Sequence, residues 1–416
     1  MSSGYCGTVG GPPWPWDPLS ESLIEPAGTG LDTGPSAGPA ARLQAAPAPR
    51  LHRSGVPALA RPVIIYVISR LVTVAAMAVA ARIGHLSFGG AVDRWDSRWF
   101  LRAAANGWPQ HLVTVHGHVT GTTIAFFPVF PLAIRVLAHL SGASLLLTGA
   151  VLSSITGLSA MVAVWFLVRQ YAGSPAADRA TLLLALFPGA FVFSLVYAEG
   201  IVITLVALGL WALKQRRWVL AGVAGALATA TSPVALAFGV SCLWVAVVHL
   251  RRERSWRALA APALVPTGFV GYQIWLWRHT GNLGAWRLTE RGGWHSYLSV
   301  GYPLHVASWF VTHPFTSTAN MNVIVAGTAV AAVGAVVALR DRQPAPLILY
   351  GLTVAALAML TAPVGLRPRF VLDAFPLVAA LGVHLRGRWF RVAAVISAVA
   401  LVALTVYSVD SLAVFP

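Results

Sequence analysis

Two aspartates lie within four residues of each other in a polar, arginine-rich segment of an otherwise apolar chain. The segment is Asp93-Arg94-Trp95-Asp96-Ser97-Arg98-Trp99-Phe100-Leu101-Arg102. A carboxylate in such a segment could take a proton from a hydroxyl group if it were held within hydrogen-bond reach. The ordinary alternative is a helix that only anchors the chain at a membrane surface, but an anchor does not require two aspartates. The segment is therefore our first candidate for catalysis.

The spacing of this segment predicts an amphipathic helix. In a helix, Arg94, Arg98 and Arg102 would share one face, and Trp95 and Trp99 would form a neighbouring stripe. Such a helix would lie along the membrane interface with its aromatic side chains at the level of the lipid headgroups.

A second cationic motif lies near the end of the chain, in Gly365-Leu366-Arg367-Pro368-Arg369-Phe370-Val371-Leu372-Asp373. Guanidinium groups bind phosphate through two parallel hydrogen bonds, so Arg367 and Arg369 could clamp a phosphate. Alternatively, the two arginines extend to the membrane surface and are offset by Asp373 one turn later.

Only nine acidic residues lie beyond residue 61, and carboxylates at a membrane boundary are costly and usually functional. Glu199 follows Tyr197 at a predicted turn between two helices, where it could also serve as a helix cap. Glu290 lies between Arg287 and Arg291, which could simply neutralise it. Trp294 and His295 follow in the same segment, and all five candidates Tyr197, Glu199, Glu290, Trp294 and His295 enter the predicted site.

The histidines do not predict a metal site. His116 and His118 are two residues apart and would not share a helix face, and no HExxH or paired Cys/His spacing occurs. We therefore assign no metal ligands, and the ligand spacing does not support a divalent cation. The chain also lacks a Walker A motif and a glycine-rich dinucleotide loop, so any transferred group should come from a lipid-borne donor.

The composition predicts which class of protein must position these residues. Hydrophobic residues make up 57% of the 416-residue chain and charged residues only 10%, far fewer than in soluble domains. Apolar runs of about 17–22 residues are long enough to cross a bilayer as helices. The net charge of +16 comes mostly from arginine clusters between these runs, which is the pattern of cytoplasmic loops. This location argues against nucleic-acid binding, and the sequence predicts an all-α polytopic membrane protein.

The chain divides into a tail and a membrane domain. Residues 1–61 are rich in Pro, Gly and Ala and predict a disordered cytoplasmic tail, followed by a transmembrane catalytic domain over residues 62–410. The first helix is predicted near Val63–Ala81, and segments 82–123, 279–318 and 363–369 are predicted to lie outside. Eleven further apolar runs follow, near 124–141, 149–168, 181–197, 199–213, 218–232, 234–250, 259–277, 320–339, 345–362, 370–385 and 391–409.

The number of crossings before residue 168 conflicts with this orientation. An outside loop at 82–123 and a cytoplasmic segment 168–179 leave one helix too many between them. Either 124–141 enters and leaves the membrane on one side, which Phe127-Pro128 and Phe130-Pro131 would permit, or 181–213 is one broken helix. We favour the first alternative.

Several motifs, in order, resemble the PIG-V-like family of GPI mannosyltransferase 2. They run over residues 93–376 and comprise Arg94-Trp95-Asp96-Ser97-Arg98-Trp99-Phe100 with Gly107-Trp108, Ala125-Phe126-Phe127-Pro128-Val129-Phe130-Pro131, Leu186-Phe187-Pro188 with Phe193-Ser194 and Tyr197-Ala198-Glu199, Arg217-Trp218 with Ala221-Gly222, and Arg367-Pro368-Arg369-Phe370 through Pro376. The resemblance implies a GT-C glycosyltransferase fold of about 11–12 helical segments, with a long first extracytoplasmic loop carrying an interfacial helix.

The same resemblance implies the reaction and the roles of the residues. It implies inverting transfer of mannose from polyprenyl-phosphate mannose to a lipid-linked or glycan acceptor, on the outer side of a bacterial plasma membrane. Asp96, with Asp93 beside it, corresponds to the acidic base, and Arg367, Arg369, Arg98 and Arg94 would bind the donor phosphate. By their chemistry, Trp95, Trp99 and Trp294 could stack on sugar or cover the polyprenyl chain, and they could equally anchor the protein at the membrane interface. The alternative from another class is a transporter or a lipid flippase, for which we would expect charges near mid-bilayer and repeated broken helices.

Overall fold

The computed structural model describes residues 57–313 and 318–410. Most of these residues are helical, and the strands are two residues long. Of the predicted tail 1–61, residues 1–56 lie outside the described residues.

The helices have the following bounds: α1 Ala60–Ile83, α2 Phe88–Val92, α3 Asp96–Asn106, α4 Val129–Ser141, α5 Leu145–Ala172, α6 Ser174–Ala185, α7 Glu199–Lys214, α8 Trp218–Thr229, α9 Ala237–Glu253, α10 Ala260–Leu264, α11 Thr267–Thr280, α12 Ala285–Trp294, α13 Tyr302–Thr312, α14 Ala319–Arg340, α15 Ala345–Leu360, α16 Pro368–Asp373, α17 Phe375–His384 and α18 Gly387–Asp410. Short 3-10 helices lie at Thr123–Ala125, Pro188–Ser194, Pro233–Leu236 and Trp256–Leu259. Two antiparallel strand pairs join β1 Thr114–Val115 to β2 His118–Val119 and β3 Tyr297–Leu298 to β4 Thr361–Ala362.

Within the described residues, five helical segments are long and apolar enough to cross a membrane. They are α1, α5, α14, α18 and the segment Pro233–Glu253 that contains α9. Two bent pairs raise the number to seven if each is one span: α6 with Pro188–Ser194, bent by 75°, and Trp256–Leu264 with α11, bent by 42°. The protein is thus an all-helical, multi-pass membrane protein, as predicted. The predicted run 259–277 is bent at Val265–Pro266, and 370–385 is divided into α16 and α17.

Polar contacts gather the arginine-rich loops at one end of the bundle, which we call the arginine end. Three of them join loops that are distant in sequence: Arg61 with Asp178 at 2.9 Å, Arg216 with Glu253 at 2.9 Å, and His384 with Asp341 at 2.9 Å. Arg179 also donates to the carbonyl oxygens of Gly382 and Val383, both at 3.1 Å. The loops predicted as cytoplasmic therefore share one end.

Helices α5 and α7 run side by side in the same direction. Ser153 Oγ exchanges hydrogen bonds with the backbone of Tyr197, and Thr204 Oγ1 donates to the carbonyl of Thr156. Both helices therefore end at the arginine end, and the bent pair of α6 and Pro188–Ser194 returns the chain between them to the opposite end, which we call the Asp96 end.

Helix α4 does not cross the bundle. Its 13 residues span about 20 Å, less than the roughly 30 Å of a bilayer core. It starts beside Ala230, whose carbonyl accepts from Val129 N–H at 3.4 Å, and it leads directly into α5, where Leu146 contacts Gly89 of α2. Both ends of α4 thus lie on the side of the Asp96 end, which agrees with the favoured alternative for 124–141.

The two long polar segments pack on each other at the Asp96 end. Helix α12 packs closely against strand β2 of the first polar segment. A Cβ on Gly292 would lie 2.1 Å from the carbonyl oxygen of Val119. The β3–β4 pair then ties residues 297–298 to residues 361–362, just before the Arg367 motif. Segments 82–123 and 363–369 and the described residues of 279–318 therefore share one side, as the sequence predicts.

Candidate functional site

A carboxylate and a guanidinium that are 273 residues apart in sequence form an ion pair at the Asp96 end. Arg369 Nη1 donates to Asp96 Oδ2. The side chains of Asp96 and Arg369 keep 22% and 20% of their exposure, respectively, so a small ligand can reach both. The pair joins the first polar segment to the arginine motif near the end of the chain.

The start of α3 positions Asp96. Trp95, the residue before it, has φ 55°, a left-handed conformation that breaks the helical path, so the helix begins at Asp96. The backbone N–H of Asp96 donates to the hydroxyl of Tyr197 at 3.2 Å, and the buried Ser97 Oγ accepts from Val196 N–H at 3.1 Å. Two adjacent residues of α3 are thereby fixed to the turn that precedes α7.

The start of α16 positions the two arginines. The 3-10 helix Pro188–Ser194 passes so close to α16 that a Cβ on Gly189 would lie 2.3 Å from the carbonyl oxygen of Pro368. The guanidinium of Arg369 lies 5.8 Å from the ring of Tyr197 and 4.7 Å from that of Phe370. Arg367 lies near Arg369, Tyr302 and Asp96, and burial lowers its pKa to about 10.

Glu199, the first residue of α7, is a further carboxylate near the Asp96–Arg369 pair. It interacts electrostatically with Arg369 and Asp96, and its Oε2 has no hydrogen-bond partner among the residues that the structure describes. A buried carboxylate oxygen without a partner is costly, so this oxygen keeps an unused capacity to accept a hydrogen bond.

Glu290, on α12, also lies within electrostatic reach of Asp96 and Arg369. Burial raises its pKa to about 7, with a smaller contribution from Asp96, and Arg369 acts in the opposite direction. The arginines that flank Glu290 in sequence therefore do not fix its charge, because Asp96 and Arg369 are the charges it faces.

Helices α3 and α7 both begin at this cluster, each with a carboxylate as its first residue. The first-turn N–H groups of a helix lack intrahelical acceptors and carry partial positive charge, which favours anions. A site with two helix N-termini, two arginines and carboxylates can bind a phosphate and accept a proton beside it. That combination suits displacement of a phosphate-linked group by a hydroxyl.

Aromatic side chains line the outer part of the cluster. The Trp99 ring lies 5.2 Å from that of Trp294, edge to face, and 6.1 Å from that of Phe126, stacked. Trp95 is used differently, because its Nε1 donates to the carbonyl of Ser408 on α18 at 3.0 Å. His295 ends α12 with φ 54°, a left-handed conformation.

Three predicted site residues lie apart from the Asp96–Arg369 pair. Arg98 Nε donates to the carbonyl of Asp93 at 3.0 Å and lies 4.0 Å from its carboxylate. Arg94 is buried beside Arg98, Asp410 and Asp93, and burial is the main cause of its lowered pKa. The predicted face of three arginines is therefore wrong, because α3 begins only at Asp96 and Arg94 precedes it.

Two buried charged residues were missing from the predicted site. Asp373 of α16 is only 3% exposed, and it interacts with Glu199 and Arg369. Its position one turn after Arg369 is a signal in the sequence, which is also compatible with simple charge compensation of the two arginines.

Arg70, in the middle of α1, is the other. Its guanidinium donates to the carbonyls of Ala190 at 2.6 Å and Ala185 at 3.1 Å, and to Ser194 Oγ at 3.2 Å. These acceptors lie at or beside the bend between α6 and Pro188–Ser194. In the sequence, the signal for this buried residue is a single arginine within the apolar run of the first helix.

No group of three or more His, Cys, Asp or Glu side chains that could hold a metal occurs in the described part of the chain. Three histidines at the Asp96 end, His279, His305 and His313, instead make aromatic contacts. His279, for example, stacks on Trp275 with ring centroids 4.5 Å apart, and its Nε2 lies 3.1 Å from the carbonyl of Trp108.

No protein-family model matches the sequence, and no curated protein matches it. Among solved structures, the chain is similar to ArnT from Cupriavidus metallidurans bound to undecaprenyl phosphate, with 15% identity, a TM-score of 0.48 and coverage of 79% of this chain and 61% of that one. It is also similar to the Archaeoglobus fulgidus oligosaccharyltransferase in complex with Zn and sulfate (16% identity, TM-score 0.44, 85% of this chain and 53% of that one). A third similar structure is AglB from the same organism in complex with an inhibitory peptide and a dolichol-phosphate (15% identity, TM-score 0.43, 85% and 56%). The chain thus spans between about half and three fifths of the length of these proteins.

Proposed function

We propose that this protein is a membrane glycosyltransferase of the GT-C type. It would transfer a mannosyl residue from polyprenyl-phosphate mannose to a lipid-linked or glycan acceptor on the outer side of a bacterial plasma membrane. The observation that carries the proposal is the Asp96–Arg369 pair with Arg367 beside it. A carboxylate and two guanidinium groups at one end of a membrane bundle match the needs of a reaction between a hydroxyl and a lipid phosphate.

The transfer forms one bond and breaks another at the anomeric carbon. The oxygen of the acceptor hydroxyl bonds to this carbon from one face, and the bond from the carbon to the phosphate oxygen breaks on the other, which inverts the configuration. The proton of the hydroxyl passes to the carboxylate of Asp96. The bonding electron pair leaves with the lipid phosphate, and Arg367 and Arg369 stabilise the negative charge that develops there.

Contacts among the site residues support this assignment of roles. Arg369 bonds to Asp96 and would orient its carboxylate, and Tyr197 holds the backbone of Asp96 from below. Trp99 and Trp294 form an aromatic wall of the kind on which a sugar ring can stack. Glu199 and Glu290 complete the polar surface around the pair.

The proposal is tested by replacing Asp96 with asparagine. Loss of the proton acceptor should lower transfer by about 10²–10⁴-fold, measured with purified protein, polyprenyl-phosphate mannose and a lipid extract as acceptor. Asp93→Asn is the matched control, because Asp93 contacts Arg98 rather than Arg369, and we expect it to retain most of the activity. Transfer by Asp96→Asn at the parental rate would show that the assigned base is wrong.

A transporter or flippase is the second candidate of the sequence analysis. Arg70 is a charge within α1, as a transporter would predict, but its guanidinium hydrogen bonds go to acceptors at the bend after α6. This structural role is sufficient to explain why α1 contains the charged residue Arg70. Comparison of glycolipids with and without the gene separates the two functions, since a missing hexose supports transfer and an altered lipid sidedness supports flipping.

A further inference from the structure

A cavity of about 610 Å³ opens at the arginine end, far from the Asp96–Arg369 pair. It lies between the turn that joins α7 to α8 and the start of α10. The residues that line it are Arg216, Arg217, Trp218, Val219, Leu220, Arg257 and Ala260. Three of these carry a positive charge, and none of the described residues that line the cavity is acidic.

Two arginines of this cavity, Arg216 and Arg217, are held in place by their neighbours. Arg216 lies 2.9 Å from Glu253 and donates a second hydrogen bond to it at 3.0 Å. The guanidinium of Arg217 lies 5.5 Å from the ring of Trp211. Because Glu253 offsets one positive charge, the cavity keeps an excess of positive charge that an anion could balance.

The start of α8 contributes further positive potential. Trp218, Val219 and Leu220 are its first three residues, and the first N–H groups of a helix lack acceptors within it. They carry the positive end of the helix dipole. Together with three guanidinium groups, this terminus would favour a phosphate.

An apolar groove of about 180 Å³ continues from the charged cavity along α7 and α8, and the two share Leu220. Its lining is entirely apolar: Leu205, Leu208, Trp211, Leu220, Val223, Ala224 and Leu227. From Leu220 to Leu227 the groove follows α8 for about 10 Å. Trp211 links its two parts, since it lines the groove and lies beneath Arg217.

We propose that this composite groove is a binding site for one anionic phospholipid of the leaflet at the arginine end. The phosphate would lie among Arg216, Arg217 and Arg257 at the start of α8, and an acyl chain would follow the apolar groove. Basic pockets between membrane helices are suited to acidic lipid headgroups. A free phosphate compound would satisfy only the charged part and would leave the groove empty, which is why a lipid is the occupant. The site is independent of the proposed transfer reaction.

Native mass spectrometry of the full-length, delipidated protein tests the site. Phosphatidylglycerol and phosphatidylcholine are added in parallel titrations, to the parent and to Arg217→Gln/Arg257→Gln. We expect the double variant to lose roughly tenfold or more in apparent affinity for phosphatidylglycerol, with little change for phosphatidylcholine. The matched control is Arg251→Gln/Arg340→Gln, which removes two exposed arginines from the same end and should bind as the parent does.

Equal losses in the two double variants would overturn the proposal, because they would show that the arginines act only through the overall surface charge. Equal affinity of the parent for both lipids would also overturn it. The thermal midpoint of each variant in lipid-free detergent shows whether the fold is retained.

A second variant tests the apolar part without changing any charge. Val223→Trp should fill the groove and weaken phosphatidylglycerol binding by several-fold, while glycerol 3-phosphate should fail to compete. Unchanged binding by Val223→Trp, or efficient competition by glycerol 3-phosphate, would show that the cavity is not a lipid site. This test remains decisive if the arginine double variant does not fold.

Discussion

At the scale of single residues, Arg369 is the centre of the candidate site. It bonds to Asp96 and interacts with Tyr197 and Glu199, and Asp373 and Glu290 face it as well. Four carboxylates thus surround the guanidinium of Arg369, and Arg367 is the only other cation described in the cluster. The carboxylates would repel each other strongly if all four were ionised. If an anionic donor binds here, as we propose, its binding would be linked to the charge state of these carboxylates.

Arg367 is expected to act on the donor rather than on the base. Arg367→Gln removes a cation from the phosphate side while the Asp96–Arg369 bond stays intact. We expect the apparent KM for polyprenyl-phosphate mannose to rise about tenfold, the value of one lost charged hydrogen bond, with a smaller change in kcat. A kcat that falls as far as in Asp96→Asn, with an unchanged KM, would contradict the phosphate role.

Glu290 should make the stability of the protein depend on pH. Its pKa is raised from 4.5 to about 7 in the folded state, so the folded protein holds a proton that the unfolded chain has already released between these values. The corresponding stabilisation is complete below the unfolded pKa and is lost as the pH rises through the folded pKa. We therefore expect the thermal midpoint of the parent to fall relative to that of Glu290→Gln from about pH 5 to about pH 8. Parallel curves for the two proteins would show that Glu290 does not carry this proton.

At the scale of elements, the site depends on the break between α6 and α7. The bent segment Pro188–Ser194 brings Tyr197 and Glu199 to Asp96 on one side and contacts α16 on the other. Arg70 satisfies carbonyl oxygens around the bend, which in a membrane would otherwise lack partners at a cost of several kcal/mol. Arg70 of α1 thus supports a site whose residues lie on four other helices, α3, α7, α12 and α16.

Gly189 is where this segment meets α16, and it should be intolerant of a side chain. The Cβ of Gly189→Ala would lie 2.3 Å from Pro368 O and 2.9 Å from Arg369 N, so Arg369 must shift relative to Asp96. Misplacement of catalytic groups by about 1 Å can cost about a hundredfold in rate, and we expect a loss of that order. Gly271→Ala is the control, since a Cβ there meets nothing within 4 Å, and its activity should be unchanged. Parental activity in Gly189→Ala would mean that the contact does not position Arg369.

At the scale of the whole molecule, the protein has two chemically different ends. Arginine-rich loops lie at one end, and the carboxylates of the candidate site lie at the other. The net charge of +16 therefore reports mainly how the chain is oriented in the membrane. Helix α4 is part of the Asp96 end, because it is too short to cross and returns the chain to α5 on the same side.

Cysteine labelling tests this arrangement. Single cysteines replace the exposed residues His116, Ser141 and Arg342 in a Cys6→Ser/Cys242→Ala background. We expect a membrane-impermeant maleimide to label positions 116 and 141 from outside intact cells, and position 342 only after the membrane is opened. Labelling of position 141 together with 342 would show that α4 crosses, and labelling of 342 alone from outside would reverse the proposed orientation.

The sequence by itself determined the class of the protein, and it predicted that the segments of the candidate site lie together on one side of the membrane. The length of the apolar runs predicts helices, because a helix satisfies its backbone hydrogen bonds within one segment. The predicted start near Val63 lies within three residues of the observed start of α1 at Ala60. It also identified Asp96, Arg367, Arg369, Glu199 and Glu290 as candidates, since charges are rare in such a chain.

Only the tertiary structure decided which of these residues meet. Asp93 and Asp96 are equivalent by composition and spacing, but the left-handed Trp95 separates them and directs one to Arg98 and the other to Arg369. The bends after Ala185 and near Pro266, and the use of Arg70, likewise depend on packing between distant helices. Hydrophobic periodicity specifies how a segment crosses the membrane, whereas a pair 273 residues apart is specified by contacts that no local pattern contains.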